Sequence, residues 1–160
     1  MFEFQLPGSA PKTKSNTARN AEALGVARGV SRLFQRRAEH SLVEFKLKTG
    51  RRVDVIAMDG KGIFTAVEIK TSVADFRGDR KWREYLPYCD RVYFAVPEKF
   101  PHEILPDDCG LMIGDAFEAE IFRTAPQGAM NAARRKAMTL RFAATAAKRL
   151  QRYTDPPFNR

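Results

Sequence analysis

Residues 42–70 constrain the fold most, because they alternate between apolar and charged side chains and then stay apolar on both sides of a glycine-rich turn. In residues 42–48 every second side chain is apolar, which is typical of a half-buried strand. Residues 51–58 and 63–70 are rich in Val and Ile, and Asp-Gly-Lys-Gly at 59–62 separates them. The pattern predicts three consecutive strands that form a meander.

The segments around this meander predict further helices and strands. Apolar residues at intervals of three and four indicate amphipathic helices, and short Val-rich runs indicate buried strands. The predicted flanking elements are a helix Thr17–Arg37, an irregular stretch Ser72–Arg77, a helix Asp79–Tyr88, strands Arg91–Val96, Gly110–Gly114 and Phe117–Arg123, and a long helix Gln127–Tyr153. The fold class expected from this order is α/β, a mixed sheet flanked by helices with a long C-terminal helix.

The length of 160 residues favours one domain. We expect a flexible basic leader over residues 1–16, a single domain over 17–153 and a tail over 154–160. No segment is apolar enough for a membrane span and none resembles a secretory signal, so we expect a cytoplasmic protein without a membrane partner. Cys89 and Cys109 lack the spacing of a zinc site and are expected to be reduced.

The positive charge points to a polyanionic partner. The net charge is +9, and in residues 123–160 nine basic side chains stand against one acidic one. Arg134, Arg141 and Lys148 recur every seven residues, about 10.5 Å apart on a helix, so we expect this row to contact DNA phosphates. An ordinary solvated helix face is the alternative. The apolar side expected to face the core comprises Ala133, Ala137, Leu140, Ala144 and Ala147.

A candidate site lies on the meander. Asp54 interrupts an apolar strand, where an unpaired carboxylate is costly, and Glu68 and Lys70 project from one face of the next strand. A Mg²⁺ ion would relieve the repulsion between two such carboxylates and suits phosphodiester hydrolysis. Asp54 faces Glu68 only if the loop between their strands has an odd number of residues or a bulge.

An ordinary surface ion pair is the alternative for these residues. The chain contains four acid-x-Lys triplets, so the triplet alone is weak evidence. Only Glu68-Ile69-Lys70 lies on a predicted buried strand with an acid in the strand before it.

Asp54 followed by Glu68-Ile69-Lys70, in a helix, three strands, helix, strand order, resembles the PD-(D/E)XK nuclease superfamily. The segments RRVDVIAMDGKG, VEIKTSVADFRGDRKWREYLPYCDRVYFAVPE, LPDDCGLMIGDAFEAEI and RRKAMTLRFA are similar to the bacterial MmcB DNA repair proteins over residues 25–150. The resemblance implies a restriction-endonuclease-like core, Mg²⁺ or Mn²⁺ as cofactor, and DNA as partner. It also implies that Asp54, Glu68 and the carbonyl of Ile69 are metal ligands and that Lys70 is the catalytic lysine.

The resemblance has departures. The first helix carries no well-placed glutamate, and Glu44 is the candidate to substitute for it. Lys81 and Tyr85 occupy the positions of a Gln-xxx-Tyr motif found in some of these nucleases, and they are expected to line the site. The cations expected to border the site and contact DNA are Arg77, Arg80 and Arg83. Trp82 is expected either to stack on a base or, as is commoner, to pack its own helix.

Three functions are compatible with these residues. The first is a metal-dependent DNA nuclease in repair, and the second is a DNA-binding repair accessory with a weak or inactive site. Either of these two proteins could also bind other repair proteins. The third function, a basic RNA-binding module, is less attractive because the sequence shows no paired aromatic residues on an exposed strand.

Overall fold

The structure, a computed structural model, describes residues 12–78 and 80–157, with side chains from residue 17 onward. Three α-helices, two 3₁₀ helices and six strands occur in this part of the chain. In order, they are α1 (Lys12–Arg36), β1 (His40–Lys46), β2 (Arg52–Met58), β3 (Phe64–Ile69), α2 (Val73–Gly78), a 3₁₀ helix (Lys81–Tyr88), β4 (Arg91–Val96), a short 3₁₀ turn (His102–Ile104), β5 (Gly110–Gly114), β6 (Ala119–Arg123) and α3 (Ala132–Thr154).

The six strands form one mixed sheet in the order β1-β2-β3-β4-β5-β6. Strands β1 to β3 are antiparallel, which confirms the predicted meander. Strands β3, β4 and β5 are parallel, and β6 returns antiparallel to β5. The chain therefore has the predicted α/β fold, a mixed sheet flanked by helices with a long C-terminal helix.

Helices cover both faces of the sheet. On one face α1 packs through Val26, Val30 and Phe34 against a core that includes Val67 and Met112. The 3₁₀ helix Lys81–Tyr88 and α3 pack on the other core. Among the helices of the described residues, none is long and apolar enough to cross a bilayer.

Trp82, Cys89 and Cys109 are all buried in the second core. Trp82 is only 3% exposed and packs edge-on against Phe94, with ring centroids 5.5 Å apart, so it belongs to the core and does not offer a face for base stacking. Cys89 and Cys109 are both buried free thiols.

The loop between β2 and β3 sets the register of the two acids. Met58 pairs with Phe64, so the loop has five residues, 59–63. The Asp59 carboxylate accepts hydrogen bonds from the amides of Lys61 and Ile63, at 2.8 and 3.0 Å, and fixes the turn. The loop length is odd, so the register places Asp54 opposite Glu68.

The helices between β3 and β4 differ from the prediction. Residues 72–77 are not irregular, because α2 spans Val73–Gly78. Its start is capped by the Ser72 hydroxyl, which accepts a hydrogen bond from the Asp75 amide at 3.2 Å. The predicted helix Asp79–Tyr88 is a 3₁₀ helix, Lys81–Tyr88, and its predicted first residue, Asp79, lies outside the described residues.

At the N-terminal end, α1 begins at Lys12, five residues before the predicted start. The helix therefore includes residues 12–16, which the sequence predicts as part of the leader. Residues 1–11 of the leader lie outside the described part of the chain.

The buried side of α3 is not the predicted one. Met138 and Phe142 are buried, whereas Leu140 is 63% exposed and the predicted alanines are exposed. Phe142 lies between Phe45 and Phe64, with ring centroids 6.1 and 5.9 Å away. These rings bury more apolar area than alanines can, which explains the orientation of the helix.

Polar contacts hold the same side of α3. The Arg135 guanidinium donates to both oxygens of the buried Asp90 at 2.7 Å, and to the carbonyl of Gly62 at 2.6 Å. Arg149 donates to the carbonyls of Val43 and Glu44 at 2.6 and 2.9 Å. Both arginines are thus engaged with the protein itself.

Candidate active site

A cleft of about 1070 Å³ has walls from α1, the adjoining parts of β1, β2 and β3, and the 3₁₀ helix Lys81–Tyr88. Its lining brings together every residue that the sequence predicted for catalysis, metal ligation or an auxiliary role. These residues are Glu44, Asp54, Glu68, Ile69, Lys70, Lys81 and Tyr85.

Asp54 lies where the pairing of β2 with β3 ends. Val55 and Val67 form the last pair, and beyond them the Asp54 Oδ2 accepts a hydrogen bond from the backbone amide of Ile69 at 2.7 Å. Burial raises the pKa of Asp54, while the Ile69 amide and the Lys70 ammonium act in the opposite direction. The carboxylate is therefore fixed by the backbone of the neighbouring strand.

Glu68 and Lys70 form a buried pair. The Lys70 ammonium donates to Glu68 Oε1 at 3.1 Å, and the two side chains are only 5% and 8% exposed. The other oxygen, Oε2, is buried without a hydrogen-bond partner among the described residues. Burial raises the pKa of Glu68 to about 7, and the charge of Asp54 adds to this, although Lys70 and Tyr85 partly offset it.

The donor set of the cleft fits a hard divalent cation. A buried carboxylate oxygen without a partner is costly, and a cation shared by Glu68 and Asp54 would both satisfy that oxygen and remove their repulsion. Mg²⁺ accepts one or two carboxylates and keeps several waters. Within residues 12–78 and 80–157, no group of three His, Cys, Asp or Glu side chains is arranged to hold a metal ion. A site here would therefore consist of two carboxylates with a backbone carbonyl and water.

The cleft also has basic residues that the sequence analysis did not select. Arg28 lies on α1, and Arg51 and Arg52 lie at the start of β2. Arg52 forms an ion pair with Glu44 at 2.6 Å, and Arg51 pairs with Glu84 at 2.6 Å. Two adjacent arginines within three residues of Asp54 were a sequence signal that could have identified Arg51 and Arg52.

The predicted bordering arginines do not line this cleft. Arg77 and Arg80 are exposed, and neither lines the cleft. Arg83 is also outside the lining, donates to Asp108 at 2.8 Å and lies over the ring of Trp82 at 4.4 Å.

Of the predicted phosphate-binding row on α3, Arg134 and Arg141 line a groove and Lys148 is exposed. Arg134 donates to the carbonyl of Pro87 at 3.2 Å and lies over the ring of Tyr88 at 5.2 Å. Arg134 and Arg141 line a second groove, of about 710 Å³, together with Lys48. Lys148 lies about two helical turns beyond Arg141 on α3 and is exposed.

Comparison with known proteins identifies the family of the chain. The chain is similar over 84% of its length to the SPO1766 protein of unknown function from Silicibacter pomeroyi, a solved structure of which 92% is covered, with 45% sequence identity and a TM-score of 0.81. None of the curated proteins compared with the chain matches it. The family model described as DNA repair protein MmcB-like matches residues 10–157. The chain therefore belongs to the MmcB-like DNA repair protein family.

Proposed function

We propose that the chain is a metal-dependent deoxyribonuclease that acts in DNA repair. The observation that carries the proposal is the buried Oε2 of Glu68, which lies in the same cleft as Asp54 and a buried lysine and has no hydrogen-bond partner among the residues that the structure describes. Asp54, Glu68 and the carbonyl of Ile69 would hold Mg²⁺ or Mn²⁺. When bound, the cation would supply polarisation of a phosphodiester and charge neutralisation.

Lys70 has the catalytic role in this proposal. Its ammonium already lies 3.1 Å from Glu68 Oε1, on the floor of the cleft. From there it can orient the attacking water and stabilise negative charge that develops on the phosphorus oxygens. Tyr85 donates to the carbonyl of Arg52 at 3.1 Å, and it lowers the pKa of Glu68, so it favours the ionised carboxylate that a cation requires.

DNA would approach across the basic rim of the cleft. Arg28, Arg52 and Lys81 line it and can contact phosphates next to the scissile bond. The exposed cations that would continue the path are Arg77, Arg80 and Arg83 near the 3₁₀ helix, and Arg134, Arg141 and Lys148 on α3. Sequence-independent phosphate contacts of this kind give strongly salt-dependent binding.

The experiment incubates the purified chain with duplex, single-stranded and branched DNA in the presence of Mg²⁺ or Mn²⁺. We expect cleavage that Asp54→Ala and Lys70→Met each reduce by at least about 100-fold. Asp107→Ala, at an exposed carboxylate, is the matched control. Equal product from the wild type and the two cleft variants would exclude the proposed site.

A DNA-binding repair accessory is the second candidate. It is favoured by the lack of a three-residue acidic cluster within the described residues. In that case the chain binds DNA and yields no product with either cation. The double variant Arg134→Glu with Arg141→Glu is expected to weaken binding and to reduce its dependence on salt in both candidates, whereas Glu68→Gln affects only the nuclease.

A further inference from the structure

A groove on α3 lies outside the cleft of the proposed nuclease site. Its volume is about 710 Å³, and no residue that lines it also lines the cleft. Residues of α3 from Ala133 to Thr145 line it together with Lys48, which follows β1, and Tyr88, at the end of the 3₁₀ helix. We call it the α3 groove. A cavity of this volume is within the range of pockets that bind small organic ligands, and a nucleotide is a ligand of that size.

Apolar side chains form one part of the lining of the α3 groove. Leu140 is 63% exposed there, and Ala133, Ala137 and Ala144 are exposed beside it on the same helix. A single exposed leucine is ordinary on a protein surface. An exposed leucine in a concave, apolar lining is a place where a ligand can bury apolar surface.

The charged part of the lining is entirely positive. Lys48, Arg134 and Arg141 line the α3 groove, and none of the described residues that line it is acidic. Arg134 and Arg141 are seven residues apart, about 10.5 Å along the helix. A second copy of the chain would bring the same cations against them and be repelled. Charge complementarity therefore requires an occupant with several negative charges and some apolar surface.

Arg134 is held in position by two contacts within the protein. It donates to the carbonyl of Pro87 at 3.2 Å, and its guanidinium carbon lies 5.2 Å from the centre of the Tyr88 ring. A side chain that is already ordered loses less entropy when a ligand binds. Its guanidinium plane is a surface on which a nucleobase can stack, in addition to a charge for a phosphate, whereas a lysine would supply the charge alone.

We propose that the α3 groove binds an unpaired DNA strand, with the phosphates on Lys48, Arg134 and Arg141 and the bases against Leu140 and the guanidinium plane of Arg134. An unpaired strand has both the negative charges and the apolar base faces that this lining requires. A duplex stacks its bases inside and would offer the groove phosphates only.

The inference rests on the proposed function for its choice of DNA as the partner. Membership of a DNA repair protein family favours DNA over another acidic occupant, such as an acidic helix of a second protein. The inference adds a substrate class, which is DNA with a single-stranded arm. It does not depend on the metal or on the chemistry of the cleft.

The test measures the fluorescence anisotropy of a labelled oligothymidylate of about ten nucleotides and of a blunt duplex of the same length, in EDTA so that neither is cut. Leu140→Gln is expected to weaken binding of the oligothymidylate about fivefold and to leave the duplex affinity unchanged. Leu150→Gln is the matched control, because Leu150 is also 63% exposed on α3 but does not line the groove.

Arg134→Lys separates the guanidinium plane from the charge. We expect oligothymidylate binding to weaken at least about fivefold, because a stacking surface is lost, and duplex binding to change less than about twofold, because the charge remains. Arg152→Lys, on the same helix but outside the groove, is the control. Thermal unfolding shows which variants are folded, and only folded variants are compared.

The two probes distinguish failure of this inference from failure of the proposed function. If the wild type binds neither probe, DNA is not the partner and both fail. If the wild type binds DNA but Leu140→Gln and Arg134→Lys keep its affinity for the oligothymidylate, the proposed function stands, the inference is overturned, and an acidic helix becomes the better occupant. Equal losses on both probes also overturn it, because they would indicate contact with phosphates alone.

Discussion

Replacement of Glu68 by glutamine is expected to stabilise the metal-free protein at neutral and alkaline pH. Burial and the charge of Asp54 raise the pKa of Glu68 from 4.5 to about 7 in the folded chain. The native state therefore holds a proton that the unfolded chain has lost, and the free energy of unfolding falls as pH rises from 4.5 to about 7. Glutamine keeps the shape and removes the ionisation.

The magnitude follows from this pKa change. Each pH unit is worth about 1.4 kcal/mol, so ionised Glu68 costs the native state about 3 kcal/mol at pH 8. Glu68→Gln recovers that amount at pH 8 and less than about 1 kcal/mol at pH 5. For a chain of this length, 3 kcal/mol corresponds to roughly 6–12 °C in Tm.

Urea unfolding with EDTA, followed by the fluorescence of the buried Trp82, measures both values. Glu98→Gln, at an exposed glutamate, is the control and is expected to leave stability unchanged at both pH values. Mg²⁺ is expected to stabilise the wild type more than Glu68→Gln, because only the wild type offers both carboxylates. A variant as stable as the wild type at pH 8, or less stable, would refute this account of Glu68.

Four further predictions concern the rest of the fold. Asp90→Ala leaves Arg135 without its buried partner and is expected to cost about 3–5 kcal/mol in urea unfolding, against less than about 1 kcal/mol for Asp108→Ala at an exposed pair. Burial would raise the pKa of Asp90, but hydrogen bonds from Arg135 and from two backbone amides outweigh this effect and lower the pKa. The ionised Asp90 therefore stabilises the fold fully above pH 3.8, and this stabilisation is lost as the pH falls through the lower pKa of the folded state. Urea unfolding measured over a series of acid pH values would show the loss. Burial raises the pKa of Cys89 to about 12, so this thiol is expected to resist iodoacetamide at pH 8 until urea unfolds the chain, as mass spectrometry would detect. Gly29→Ala improves helix propensity but places a Cβ against the carbonyl oxygen of Asp115, so a lower Tm is expected, and an unchanged Tm would contradict the close packing of α1.

The strands could be predicted from sequence because their signals are local. Alternation of side chains and the turn at 59–62 specify the meander, and the observed strand ends agree with the predicted ones to within two residues. The relation of Asp54 to Glu68 could be stated only as a condition on loop length. It depended on how Asp59 closes the turn, through hydrogen bonds to the amides of Lys61 and Ile63.

The orientation of α3 could not be predicted, because distant residues determine it. Arg135 and Arg149 bind groups 45 and 106 positions away in the chain, and Phe142 packs between rings of two strands. The alanine-rich side has regular helical spacing, so periodicity alone favoured it. The role of Arg52 could not be predicted for the same reason, since its position in the cleft depends on the pairing of β1 with β2.

Arginine side chains from the two long helices donate hydrogen bonds to backbone carbonyls of β1 and β6, the two edge strands of the sheet. Arg149 reaches carbonyl oxygens of β1, and Arg36 of α1 donates to the Ala119 carbonyl of β6 at 3.2 Å. A strand from another molecule would have to displace a cation to pair with either border at these points. Loss of Arg36 or Arg149 would therefore make the chain prone to aggregate through edge-to-edge association, even where its stability as a monomer is little changed.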